Sequence, residues 1–165
     1  MGTLSRVGVA TTIALGSWPG DQKPIDPRCE KVLPVAVADR LAGRSDLALY
    51  GRGAVPAGGG TCNYATPAKK MVFLVGLLDE KGRAAAEFER KKADPAYSAN
   101  LRAVVGLGDG AFTGGAGEHL LVARKGSVIV SVAAMVQMDR ATHQMHATLS
   151  RDQLVAIGKE VVGKL

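Results

Sequence analysis

Cys29 and Cys62 are the only cysteines in this 165-residue chain, and 32 residues rich in proline and glycine lie between them. Two thiols so spaced can form a disulfide, sit reduced and buried as small apolar groups, or take part in a metal site. Neither belongs to a CxxC pair, and the first histidine, His119, follows Cys62 by more than fifty residues, so the local ligand spacing of a zinc site is absent. We read Cys29 and Cys62 as one disulfide, tying an N-terminal helix to the first strand of a sheet. Closing a loop of that length stabilises a fold by about 3 to 4 kcal/mol. Disulfides persist in oxidising compartments, so the expected location is the periplasm, the cell wall or the extracellular space.

The histidines offer a second chemistry. His143 and His146 stand three apart and would converge on one metal if their segment were helical, with Asp139 and His119 as further donors. That arrangement defines the alternative reading, a metal-dependent enzyme using a histidine cluster. The helical zinc signature H-E-x-x-H is missing, and a polar, methionine-containing stretch ahead of a helix reads as an exposed connection. Ser127 and Ser131 have no nucleophile-elbow context. The Gly58-Gly59-Gly60 run is not followed by Gly-Lys-Ser/Thr and reads as a surface loop, while the glycines from Gly106 to Gly110 precede a strand, without the helix N-terminus that holds a dinucleotide phosphate. The sequence therefore assigns no catalytic residue, metal ligand or cofactor, and the expectation is a protein that binds and is not an enzyme.

Composition limits the partners. The chain is 47% hydrophobic but only 4% aromatic, which predicts an aliphatic core in one domain. A net charge of +6 favours an anionic partner such as nucleic acid, acidic lipid or a cell-wall polymer. Too few aromatic rings are present for base stacking to make nucleic acid the first choice. The basic triplet Arg90-Lys91-Lys92 reads as a solvated helix end, complementing the helix dipole.

The elements that position these groups follow from local pattern. Residues 1–6 are short and basic and residues 7–15 uncharged and mostly apolar, with a small-residue cleavage pattern ending at Gly16. They read equally as a minimal signal peptide or as a strand over residues 6–15. Residues 1–25 are thus an export signal or extended arm plus a proline-bearing linker, and residues 26–165 one domain. No other segment has the length of apolar sequence that a membrane helix needs. Pro34 suits the first turn of a helix with Val35, Val37, Ala38 and Leu41 on its apolar side and Gly43 as its C-terminal cap. Residues 46–60 read as loop. Residues 61–66 and 70–78 read as two strands, the second apolar on both faces and so interior. Asp79 is placed to cap a following helix whose inward stripe is Ala84, Ala85, Phe88 and Lys92, with Arg83, Glu87, Arg90 and Lys91 outward and Pro95 at its end. Gly114, Gly115 and Gly117 mark a turn. A hairpin follows, with strands over residues 120–124 and 127–135 and a turn at Lys125-Gly126. Ser150 and Gln153 form a capping box for a terminal helix with Leu154, Ile157, Val161 and Leu165 at helical intervals. The fold class is α+β: an antiparallel sheet flanked by N-terminal, middle and C-terminal helices.

Cys29 before a helix with Val37 and Leu41, Cys62-Asn63-Tyr64 on a strand, the run from Val104 to Phe112 that contains Gly106-Leu107-Gly108-Asp109-Gly110, the Lys125-Gly126 turn and the terminal helix occur in an order that resembles the small exported lipoproteins of unknown function found in actinobacteria. The resemblance covers residues 26–165. It implies a PsbP-like architecture, an envelope location and an accessory or binding role, with an envelope protein, a small ligand or an anionic cell-wall polymer as partner. A lipid-anchored member carries cysteine directly after its cleavage site, where this chain has Ser17.

Overall fold

Seven strands form one antiparallel sheet in the computed structural model, which describes residues 25–55 and 59–165. The signal-or-strand segment and Gly58 lie outside the described residues. The chain enters through two short helices, α1 (Arg28–Val32) and α2 (Val35–Ala42), then lays down β1 (Ala48–Val55), β2 (Gly59–Ala65) and β3 (Met71–Asp79). Helix α3 (Ala84–Ala93), a single turn α4 (Pro95–Ser98), and strands β4 (Arg102–Ala103), β5 (Gly110–Gly114), β6 (Leu120–Lys125) and β7 (Val128–Ala134) follow. A two-stranded ribbon of β8 (Val136–Met138) and β9 (Met145–Ala147) leads into the terminal helix α5 (Arg151–Gly163). The sheet order is β1-β2-β3-β7-β6-β5-β4, so three consecutive strands are joined through β3 and β7 to four more.

Helices α5 and α2 cover one face of the sheet, and α3 covers the β5–β6–β7 end of the other. Phe73, Val75 and Leu77 of β3 join Tyr64, Leu121, Ala123, Val130 and Val132 in the main core. Leu154, Ile157 and Val161 of α5 close it, each with no exposed surface, together with Ala38 and Ala42 of α2. Gly158 lets α5 approach this closely, since a β-carbon there would run into the Leu121 side chain. On the opposite face, Ala84 and Phe88 of α3 pack on Phe112, Val122 and Ile129, with the Phe88 and Phe112 rings edge-to-face at 5.5 Å.

The capping signals of α2 and α5 act as expected. Pro34 sets the entry of α2 as its N-cap, Gly43 ends it in the left-handed region at φ 66°, and Ser150 and Gln153 make the reciprocal hydrogen bonds of a capping box on α5. The β6–β7 hairpin forms one residue later than expected: Lys125 pairs with Val128, so Gly126 and Ser127 are the turn, with Gly126 at φ 58°.

Other expectations are corrected. Within the expected loop, residues 48–55 and 59–60 are strand: β1 pairs with β2 through Leu49 opposite Tyr64, and Gly59 and Gly60 are buried at the start of β2. An edge strand takes its hydrogen bonds from one neighbour, and the glycines at 51 and 53 hide its alternation in the sequence. Cys62 accordingly lies on the second strand, not the first. The glycine-rich stretch from Gly106 to Gly114 contributes β5, whose glycines likewise mask it. Asp79 does not cap α3; its carboxylate accepts the Lys81 N–H at 3.1 Å within the turn, and Arg83 occupies the N-cap. Ala85 and Lys92 are exposed, whereas Lys91 turns inward with its side chain only 12% exposed. Leu165 lies beyond α5 and is exposed. The histidine stretch is exposed, as expected, and its flanks pair as the β8–β9 ribbon.

Candidate functional site

The segment from Asp26 to Leu33 is fastened along one side of β2 at three alternate positions. The Asp26–Arg28 ion pair sits over Gly60, where a β-carbon would collide with the carboxylate. Cys29 and Cys62 are bonded, with Cα atoms 5.5 Å apart and neither residue more than 1% exposed. The Tyr64 hydroxyl donates to the Leu33 carbonyl at 2.5 Å, and its ring stacks on Phe73 at 4.5 Å between centroids. Residues 60, 62 and 64 share a face because side chains alternate along a strand. Burial pushes the Tyr64 phenol well above its usual pKa, which favours the neutral hydroxyl that donates to Leu33. The expected disulfide is thus a feature of the folded interior, and among the described residues no cysteine is free.

Among the described residues, no three His, Cys, Asp or Glu side chains stand close enough to share an ion. His146 lies on β9 opposite Gln137, and His143 occupies the ribbon's turn at φ 55°. The Asp139 carboxylate accepts the N–H groups of Ala141 and Thr142, which hold its pKa below the usual carboxylate range. His119 belongs to the turn after β5, where its Nδ1–H donates to the Ala116 carbonyl at 2.6 Å. The Gly106–Gly110 loop serves a turn: the Asp109 N–H donates to the Arg124 carbonyl at 2.7 Å, and its carboxylate accepts the Gly126 N–H at 2.8 Å. The basic triplet is engaged by side chains of α3 and α4. Arg90 forms a two-pronged pair with Glu87, Lys92 lies 4.0 Å from Glu89, and Lys91 places its ammonium 3.3 Å from the Tyr97 hydroxyl and over that ring at 4.6 Å.

Lys91 borders the feature that sequence reasoning missed. A cavity of about 110 Å³ opens on the α3 side of the sheet, lined by Thr61, Gly76, Leu78, Lys91, Ile129 and Ser131 with the backbone of Gly59 and Gly60. It exists because α3 covers the β5–β6–β7 end while the register brings Thr61, Gly76 and Ser131 into one row across β2, β3 and β7. Gly76 has no steric need to be glycine: a β-carbon would meet only Ser131, at the ordinary contact distance of 3.7 Å. Glycine inside a strand costs stability, so its effect here is to leave the floor of the cavity open. Two hydroxyls and one ammonium around that floor suit a small oxyanion or a polar group with lone pairs. Gly76 amid Met71-Val72-Phe73-Leu74-Val75 was the available signal. Ser131 is brought into this row by register, and Ser127, in the β6–β7 turn, is not.

Comparison with protein-family models, with curated proteins and with solved structures finds no match to this chain.

Proposed function

We propose that this protein is an exported accessory protein of the cell envelope that binds a ligand without transforming it, in line with the lipoprotein-like order of its motifs. One observation carries the reading: its only two cysteines are joined in the interior, a bond that the reducing cytoplasm disfavours. No helix among the described residues is long and apolar enough to cross a membrane. The binding site is the Gly76-floored cavity, and the group it takes is a carboxylate or phosphate, carried by a small molecule or by an anionic cell-wall polymer. Lys91 supplies the charge, held in place by Tyr97 and Glu87, and Thr61 and Ser131 supply hydroxyl donors.

Two measurements test this. Intact mass of the native protein, alkylated before and after reduction, reports the thiols: labelling of both cysteines without reduction would remove the argument for export. Titration with acetate and with inorganic phosphate, followed by backbone amide NMR, should shift the Gly59, Thr61 and Gly76 signals. Gly76→Val should fill the cavity and abolish those shifts, and Lys91→Met should weaken them. Equal shifts in Gly76→Val and the parent chain would place the anion elsewhere.

A further inference from the structure

The β8–β9 ribbon leaves thioethers in water. Of the large apolar side chains most exposed among the described residues, Met135, Met138 and Met145 all belong to it or its entry, at 40, 62 and 47%. The chain has five methionines in all. Methionine differs from leucine in carrying a soft, polarizable sulfur that ligates soft metals.

The register decides which donors share a side. Met138 lies directly opposite Met145, and Gln137 opposite His146, so the two thioethers occupy one face and His146 the other. The Asp139 N–H donates to the Gln144 carbonyl at 2.8 Å, which makes the next pair, Met138 and Met145, a non-hydrogen-bonded one, where side chains approach most closely. Their Cβ atoms are then roughly 5 Å apart, and three-bond side chains at that spacing can bring both sulfurs to one ion.

A nitrogen donor stands on the turn packed against this ribbon. A β-carbon on Gly117 would touch the Met145 carbonyl oxygen at 3.4 Å, so the turn Ala116–Glu118 and β9 are neighbours. His119 follows that turn directly. Its Nδ1–H donates to the Ala116 carbonyl, which selects the tautomer of the neutral imidazole whose Nε2 is the free lone-pair donor. A backbone carbonyl holding the far ring nitrogen is the usual support of a metal-binding imidazole.

The geometry points to a site for a soft monovalent ion, Cu(I), formed by the thioethers of Met138 and Met145 with the His119 imidazole. Thioether and imidazole donors with no carboxylate favour Cu(I) over zinc, calcium or magnesium. With both cysteines bonded to each other, no thiol competes for the ion. This site is separate from the cavity at Gly76 and does not depend on it.

The test is anaerobic titration of the full chain with Cu(I) in competition with a chromogenic chelator. One ion per chain is expected. Met138→Leu/Met145→Leu and His119→Asn should each weaken binding by roughly tenfold or more, and His146→Asn should leave it unchanged. Unaltered binding in the double leucine variant, or an equal loss in His146→Asn, overturns the assignment. Methyl NMR of the parent chain with Ag(I), a redox-inert substitute, needs no variant: the ε-methyl signals of Met138 and Met145 should move while that of Met71 stays. Stationary signals for both would also overturn it.

Discussion

Single side chains here matter chiefly through what they fasten. The Asp26 carboxylate is held below its usual pKa by the hydrogen bonds it accepts from Arg28, and that of Glu87 by those from Arg90. Both are therefore ionised more readily in the folded chain than in the unfolded one. Groups shifted in this direction contribute stability that is fully present above their unfolded pKa and is lost as pH falls through the folded one. The melting temperature should accordingly be level between neutral pH and about pH 5 and fall below about pH 4. Asp26→Asn and Glu87→Gln should each make that acid fall shallower, measured by circular dichroism melts across pH. A slope identical to the parent's in both variants would show that these pairs carry none of it. The individual effects are small, because both pairs touch solvent.

At the scale of elements, local sequence and tertiary packing divide the work visibly. Helix α5 has a complete start signal and three fully buried side chains on one stripe, so it is determined locally and then docked. Ser150→Ala removes the oxygen that accepts the Gln153 N–H and should destabilise the protein by about 1 kcal/mol. The expected outcome is a lower urea midpoint with an unchanged slope. Helix α3 lacks such a signal, since Arg83 at its N-cap makes no side-chain cap. Its register is set by Phe88 against Phe112, and that is why its inward stripe excludes Ala85 and Lys92 and draws in Lys91. The ammonium then reaches the cavity edge only because Tyr97 of α4 lies beneath it.

For the molecule as a whole, the covalent link joins the entry helices to the interior of the sheet and not to its border. Cys62 sits on β2, paired on both sides by β1 and β3, so the bridge couples α1 to a strand that cannot move without breaking two ladders. Its sequence separation of 33 implies that the cross-link disfavours the unfolded chain by about 3 to 4 kcal/mol. Cys62→Ser should lower the melting temperature clearly under oxidising conditions and match the parent when both are fully reduced. Coincident melts of the two under oxidising conditions would deny the bridge its stabilising role.

Residue types and spacing alone determined the cysteine pairing, the α+β class, the capped helices α2 and α5, the two-sided apolar strand β3 and the β6–β7 hairpin. Each of these rests on a signal read within a few residues: a cap, a period, a turn, or the absence of any other thiol to pair with. Only the tertiary structure decided that β1, β5 and the β8–β9 ribbon are strands, because glycines, polar residues and short lengths carry little local preference and their hydrogen bonds come from partners distant in the chain. It alone also brought Thr61, Gly76, Lys91 and Ser131 around one cavity and set His146 opposite Gln137 with His143 in the ribbon's turn, since neighbours across a sheet are chosen by register, and register is a property of the assembled strands.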